Sequence, residues 1–278
     1  MRNVTRTDEW MISVRAKEAA RPDAIITDPA AISLAHIGNV TNVALQYSHS
    51  AVILRRRFGD DVIAESTSRG VRQAVSLGAG SDTRAYTSAL PGEFKYFEID
   101  FPGQTAIKRS LLATAGINPY CKLITVEQDL RKPAWIQALL NSGFRCDLPT
   151  VWLAEGLFYF FTRSELCLLM RQITALSSHG SRLSFDIGDA DFCTAPQTAL
   201  LRQLVARRGV RYREGMGDPK GWLAPFGWHT HAYHADDICA DRCSWLHATP
   251  KRLKKELDCT WFVRACRPSS PVECCECP

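Results

Sequence analysis

The chain has 278 residues, 46% of them hydrophobic and 23% charged, with a formal net charge of +5. That balance suits one soluble globular domain with a sizeable core and excludes a disordered chain. No stretch approaches the roughly eighteen apolar residues of a membrane span, and the basic residues are spread, not gathered on one helix face, so neither a membrane nor a nucleic acid is expected as a partner.

The N-terminal stretch MRNVTRTDEW has no apolar signal core, which makes the cytoplasm the expected location. Residues 9–20 read as a helix carrying Trp10, Ile12 and Val14, closed by Arg21-Pro22. Asp28-Pro29 opens a second helix, with an N-cap followed by proline at the first helical position. Residues 43–58 make a third, whose Arg55, Arg56 and Arg57 read on their own as a solvated face.

Residues 73–77 are a short apolar run ending in Gly78-Ala79-Gly80, and residues 94–99 are a second run, ending in the acids Glu98 and Asp100 on either side of Ile99. A buried strand that stops at glycines lets the backbone approach a ligand closely. An acid about twenty residues on, at the tip of the next strand, is placed to accept hydrogen bonds from ribose hydroxyls. The glycines alone would suit any turn; the order strand, glycine turn, helix, strand, acid reads as a nucleoside site. Thr83 stands where a dinucleotide fingerprint has its third glycine, and Asp82 sets a negative charge where a pyrophosphate would lie. A nicotinamide cofactor is therefore disfavoured, and the cationic, phosphate-free S-adenosylmethionine fits better.

Residues 102–115 read as a helix and 121–126 as a strand ending in Glu127-Gln128-Asp129-Leu130. Asp129 can accept from an adenine amino group while Leu130 packs on the ring, and it can equally cap the helix around Pro133. Residues 150–154 form the next strand and deliver Glu155, Gly156 and Tyr159. Ligands of open α/β sheets bind beyond the carboxyl ends of the strands, so Glu155 and Gly156 face the crevice of Gly78 and Asp100. A helix over 166–176, a strand over 182–187 ending at Asp186 and Asp189, and a helix over 197–208 follow. Residues 215–234 carry Trp222, Phe226, Trp228 and Tyr233, rings that either clamp a flat acceptor or seal the core. Residues 258–267 close the fold as a strand. With no repeat and no composition shift, 1–267 reads as a single domain and 268–278 as a flexible tail.

Eleven cysteines in a long chain without a signal read as free thiols. Cys121, Cys146, Cys167 and Cys266 lie in or beside apolar runs as small core residues. The tail cysteines Cys274, Cys275 and Cys277 lack the spaced second pair of a zinc site, and His229, His231, His234, Cys239 and Cys243 match no zinc spacing, so no metal is expected.

LGAGSDTRAY at 77–86, followed by FEIDFP at 97–102, resembles the LGAG-x-DTRAYRL and EVDxP blocks of the leucine carboxyl methyltransferase family, including its bacterial polyketide carboxyl O-methyltransferase branch. The run Arg55 to Asp61 resembles the family's RTRFIDD, Asp129-Leu130-Arg131 its DLR, and Trp222-Leu223 with Gly227-Trp228 its W-L-x-x-x-GW. The run Glu155 to Phe160 resembles EGLL-x-YL, with the tyrosine one position early at Tyr159. The likeness spans 15–267. It implies a Rossmann-like class I methyltransferase sandwich, α/β, with a seven-stranded, mostly parallel sheet, helices on both faces, and residues 1–70 folded over the cofactor as a helical lid. It also implies S-adenosylmethionine as cofactor, with Arg55 (or Arg57) and Arg15 on the methionine carboxylate. The remaining contacts would come from Gly78, Ala79, Gly80, Asp82, Thr83, Arg84, Glu98, Ile99, Asp100, Asp129, Leu130, Glu155 and Gly156.

The activity so implied is O-methylation of a small-molecule carboxylic acid. A carboxylate, with a pKa near ~4, is already ionised at neutral pH and needs no base. A phenol would need one, for which His229 or His231 is the candidate, with Tyr159 and Glu155 nearby. The sequence leaves open the choice between these acceptors, a protein C-terminal carboxylate as a third, a catalytically silent binding module, and the oligomeric state.

Overall fold

The computed structural model describes residues 5–37, 49–207, 209–240, 243, 250–254 and 259–268. Strands β1 (Gln73–Leu77), β2 (Lys95–Asp100), β3 (Lys122–Glu127), β4 (Val151–Ala154), β5 (Arg182–Gly188), β6 (His229–His234) and β7 (Thr260–Cys266) form one sheet. Their order is β3-β2-β1-β4-β5-β7-β6. The first five run parallel, and β7 runs antiparallel to both neighbours. Every residue of β1 and β4 is buried, as expected where helices cover both faces of a parallel sheet and the strands read as continuous apolar runs. The chain leaves β1 toward β2 on one side and returns beyond it as β4, so the strand order reverses between them and opens a crevice at their carboxyl ends. This is the seven-stranded α/β sandwich implied by the family resemblance.

Among the described residues the helices are α1 (Thr5–Ala19), α2 (Pro29–Ile37), α3 (His49–Ser68), α4 (Arg84–Thr87), α5 (Ala106–Thr114), α6 (Ala134–Asn141), α7 (Arg163–Ala175), α8 (Ala199–Ala206) and α9 (Pro219–Leu223), with shorter helices after it. Asp28 caps α2 as expected, its Oδ1 accepting from the Ala31 N–H at 2.9 Å. The third helix, expected over 43–58, runs on to Ser68; residues 43–48 lie outside the described residues. Its extension carries the i,i+4 pairs Arg56–Asp60 and Arg57–Asp61 and buries Val62 and Ile63. Helix α5 begins at Ala106, not at 102, because the Gly103 N–H, at φ +78°, donates to Glu127 and holds the preceding residues in a turn. Helix α7 begins three residues before its expected start because Thr162 and Glu165 form a capping box.

Strand β6 corrects the expectation of an irregular stretch at 215–234. Its sequence HTHAYH has no apolar alternation, and only Thr230 is buried. It exists because backbone pairing with β7 at the sheet edge needs no apolar face. Just before it, Trp222 and Trp228 are buried in the main core with Phe158 and Phe185, and the Trp228 indole N–H donates to Thr174. These two rings seal the core. Cys121 is buried, but Cys146 is exposed and Cys167 and Cys266 are half-buried, so only the first is a core residue. The tail cysteines lie outside the described residues. Among the described residues no helix is long and apolar enough to cross a membrane, and no group of His, Cys, Asp and Glu could hold a metal ion.

The capping box gives the first test. Thr162→Ala should lower stability by about 1 kcal/mol, read as a lower urea midpoint with an unchanged slope; an unchanged midpoint would mean that the cap does not hold α7.

Candidate active site

A cavity of about 480 Å³ opens at the carboxyl ends of β1, β4 and β5. Residues 76–82, Arg84, Glu155, Gly156 and Asp186 form its floor, α1 and α3 supply Trp10, Met11, Arg15, Arg55 and Arg56, and an aromatic and aliphatic wall closes the far side.

The glycine turn is held by its own backbone. The N–H groups of Gly78 and Ala79 both donate to the Ile99 carbonyl, at 2.8 and 3.2 Å. Gly78 sits at φ +62°, a conformation that favours glycine, and a Cβ there would stand 2.7 Å from a methyl of Leu157, which would have to move aside. The Gly80 N–H donates to Asp100 Oδ2 at 2.7 Å, and the Phe101 N–H to Oδ1 at 2.7 Å. Asp100 thus ties the turn to the tip of β2, and burial pushes its carboxyl up despite these two bonds.

Asp82 was expected to show its charge to the ligand. Instead it is buried and accepts from the Tyr96 hydroxyl at 2.6 Å, Ser76 at 3.0 Å and the Arg84 backbone N–H at 3.0 Å. Burial would raise this carboxyl, but Arg84, Arg56 and Lys108 hold it far below the usual carboxylate range. Thr83 is fully buried, 2.8 Å from Asp28 and from Arg56, and does not line the cavity. Arg84 pairs with Asp60 at 2.7 Å, Glu155 at 2.7 Å and Asp82 at 3.4 Å. Asp82, Thr83 and Arg84 therefore spend their side chains on one another, on the N-terminal helices and on the strands and strand tips beside them, because a charge this deep needs a partner within the protein.

Glu98 is fully buried on Lys108, 2.6 Å away, and Ile99 is fully buried behind the turn; neither lines the cavity. Asp100, Asp129 and Leu130 also stand outside it, on the β2 and β3 side of the glycines. Asp129 Oδ1 accepts from the Arg131 N–H at 3.0 Å, and Leu130 is buried. Arg15 is in the floor, its Nη2 donating to the Ser81 carbonyl at 2.6 Å and its Nε 3.0 Å from Asp28. Arg55 faces the cavity from α3, while Arg57 turns out to Asp61 and the Ile25 carbonyl.

His229 and His231 are not brought to the cavity. They lie on edge strand β6 in a small separate hollow with Arg182 and Arg264, and burial with Arg264 lowers the His231 pKa. Tyr159 does reach the cavity, with its hydroxyl donating to Asp186 at 3.1 Å. Burial and Asp186 push this phenol well above its ordinary value.

Sequence reasoning missed Asp186 as a site residue, although it ends a predicted strand at the right edge of the sheet. It also missed Tyr212, which stacks on Phe160 with centroids 5.2 Å apart, and Phe192, which meets Tyr212 edge-on at 5.0 Å. No pattern in the sequence brings 160, 192 and 212 together.

A family model described as leucine carboxyl methyltransferase matches residues 9–174. A protein of Streptomyces coelicolor named "putative S-adenosyl-L-methionine-dependent methyltransferase" is 32% identical over 79% of this chain and 81% of its own length. One of the same name from Saccharopolyspora erythraea is 32% identical over 88% of this chain and 92% of its own. Among solved structures, a DUF574 family protein from Streptomyces avermitilis superposes with a TM-score of 0.59 at 18% identity, covering 92% and 97% of the two chains. A putative methyltransferase from Thermobifida fusca gives 0.56 at 14%, covering 92% and 94%. These two share the fold.

Arg84→Met would strand the carboxylates of Asp60, Asp82 and Glu155, so it should lose about 3–5 kcal/mol of stability in urea unfolding. A loss under about 1 kcal/mol would show that the network does not hold the N-terminal helices to the sheet.

Proposed function

We propose, since the chain belongs to the leucine carboxyl methyltransferase family, that it transfers a methyl group to the carboxylate oxygen of a small-molecule acid in the cytoplasm. The cofactor of the family's reaction here is S-adenosylmethionine, and the chain is a methyltransferase. The residues present fit that cofactor. Gly78, Ala79 and Gly80 line the cavity with backbone and a single methyl, which leaves a ligand free to approach the main chain closely. Asp100 keeps lone pairs for ribose hydroxyls beyond its two backbone bonds, and Leu130 offers an apolar seat for adenine. Arg55 is the cavity arginine least engaged by the protein: its ion pair, with Asp186, spans 3.5 Å, against 2.7–3.0 Å for the shortest pairs of Arg15, Arg56 and Arg84. A planar guanidinium so placed can take the methionine carboxylate through two parallel hydrogen bonds.

Bound there, the cofactor supplies a sulfonium methyl open to in-line displacement, with charge cancelled as the acceptor oxygen arrives. The chain's own contribution is to hold, orient and dry the site. Helices α1 and α3 cover the strand tips, and a dry cavity weakens the solvation of both reacting ions. The rings of Phe160, Phe192 and Tyr212 line the cavity as a contiguous wall.

The observation that carries the choice of a carboxylate is that, among the described residues, each carboxylate lining the cavity is already engaged. Asp82 is held by Tyr96, Ser76 and Arg84, Glu155 by Arg84 through both oxygens, and Asp186 by the Gly156 N–H and the Tyr159 hydroxyl. With both candidate histidines elsewhere and Tyr159 a donor, an acceptor that must lose a proton finds no unengaged base among the described residues lining the cavity, whereas one ionised at neutral pH needs none.

Full-length protein given methyl-labelled cofactor and a panel of small carboxylic acids should yield a product whose label is released as methanol by mild alkali, as a methyl ester requires. A label that survives alkali marks an ether, hence a hydroxyl acceptor, and overturns the carboxylate reading. Asp100→Ala should weaken S-adenosylhomocysteine binding by about 1–3 kcal/mol, roughly 5- to 150-fold in calorimetry. An unchanged affinity would mean that the ribose lies elsewhere.

A further inference from the structure

We propose that Asp186 is a positioning residue: it aims the Arg55 guanidinium at the carboxylate end of the bound cofactor, an inference that rests on the cofactor reading above. Asp186 is 1% exposed, in strand β5, and it lines the cavity. Its Oδ1 accepts from the Gly156 N–H at 2.6 Å; its Oδ2 accepts from the Tyr159 hydroxyl at 3.1 Å and faces Arg55 Nη1 at 3.5 Å. One carboxylate therefore gathers the loop after β4, the short helical turn carrying Tyr159, and α3 onto the tip of β5.

A buried carboxylate survives only where donors satisfy it. Two of the three here are neutral, so among the described residues Arg55 is its one charged partner, and that contact is loose. The arrangement gives Arg55 a slot. A Cβ on Gly156 would stand 2.5 Å from Arg55 Nη1 and 3.0 Å from Cζ, so the guanidinium lies directly over the Gly156 backbone, which Asp186 anchors. Arg55 Nη2 rests 3.0 Å from the Met11 sulfur, a weak acceptor that holds it only lightly. One end of the fork is thereby aligned by Asp186, and the remaining donors stay available to a ligand anion. Burial alone would lower the Arg55 pKa, but Asp186 and Glu155 overcome it and keep the side chain cationic.

The test compares two ligands that differ only at the far end. S-adenosylhomocysteine carries the amino-acid ammonium and carboxylate, and 5′-methylthioadenosine lacks both, so the double variant with Arg55→Met is what ties a loss to the carboxylate. In calorimetry on the full chain, Asp186→Asn should weaken S-adenosylhomocysteine about tenfold, the scale of one charge-assisted contact, while leaving methylthioadenosine within twofold. Combined with Arg55→Met, it should add little to the loss that Arg55→Met causes alone. If Asp186→Asn does not fold, Asp186→Glu keeps the charge but displaces it and should discriminate between the two ligands in the same way. Equal loss of both ligands, or full additivity with Arg55→Met, would make Asp186 a mere prop of the floor and overturn the proposal. Binding of neither ligand by the wild-type chain would instead sink the cofactor reading itself.

Discussion

The structure depends on what Arg84 does in a place without water. Its guanidinium, 2% exposed, reaches Asp60 on α3, Asp82 in the glycine turn and Glu155 at the tip of β4. Arg56 extends the chain of charges to Asp28 at the head of α2, and Arg15 brings in α1. Replacing such ions with packed hydrophobes would often be neutral in stability, but removing one member leaves uncompensated charge in the interior. The network therefore specifies one arrangement of the N-terminal helices over the strand tips, where apolar packing alone would tolerate several.

That arrangement decides what the cavity offers a ligand. The floor is charged, but most of its charges are already paired, so it presents an ordered polar surface with little net pull. Arg55 stands apart because its partner Asp186 is shared with a backbone N–H and a phenol. Beyond it the wall turns aromatic. A site built this way binds by placing its ligands and excluding water, which suits a displacement in which two opposite charges are consumed and no proton has to move.

The same buried charges separate residues with a shared motif into different jobs. In the run Asp82-Thr83-Arg84, all three side chains are buried and bound to protein partners, while the backbone just before them lines the cavity. Asp100 closes the turn, one oxygen accepting from the Gly80 N–H and the other from the Phe101 N–H. A motif read as a list of ligand contacts is thus partly a list of the struts that hold the contact surface in shape.

The sequence by itself determined the local parts: six of the seven strands close to their observed limits, the Asp28 cap, the glycine turn after β1, and the acid one strand away. These follow from neighbouring residues, through periodicity, φ preferences and spacing. Only the tertiary structure decided which charges point where. Arg55 and Arg57 are two residues apart on one helix, yet one lines the cavity and the other meets solvent; His229 and His231 sit on an edge strand with no apolar pattern to announce it; Asp186, Phe192 and Tyr212 reach the cavity from separate parts of the chain. The orientation of a charged side chain is set by partners distant in sequence, because burial makes pairing obligatory without saying which partner will be there.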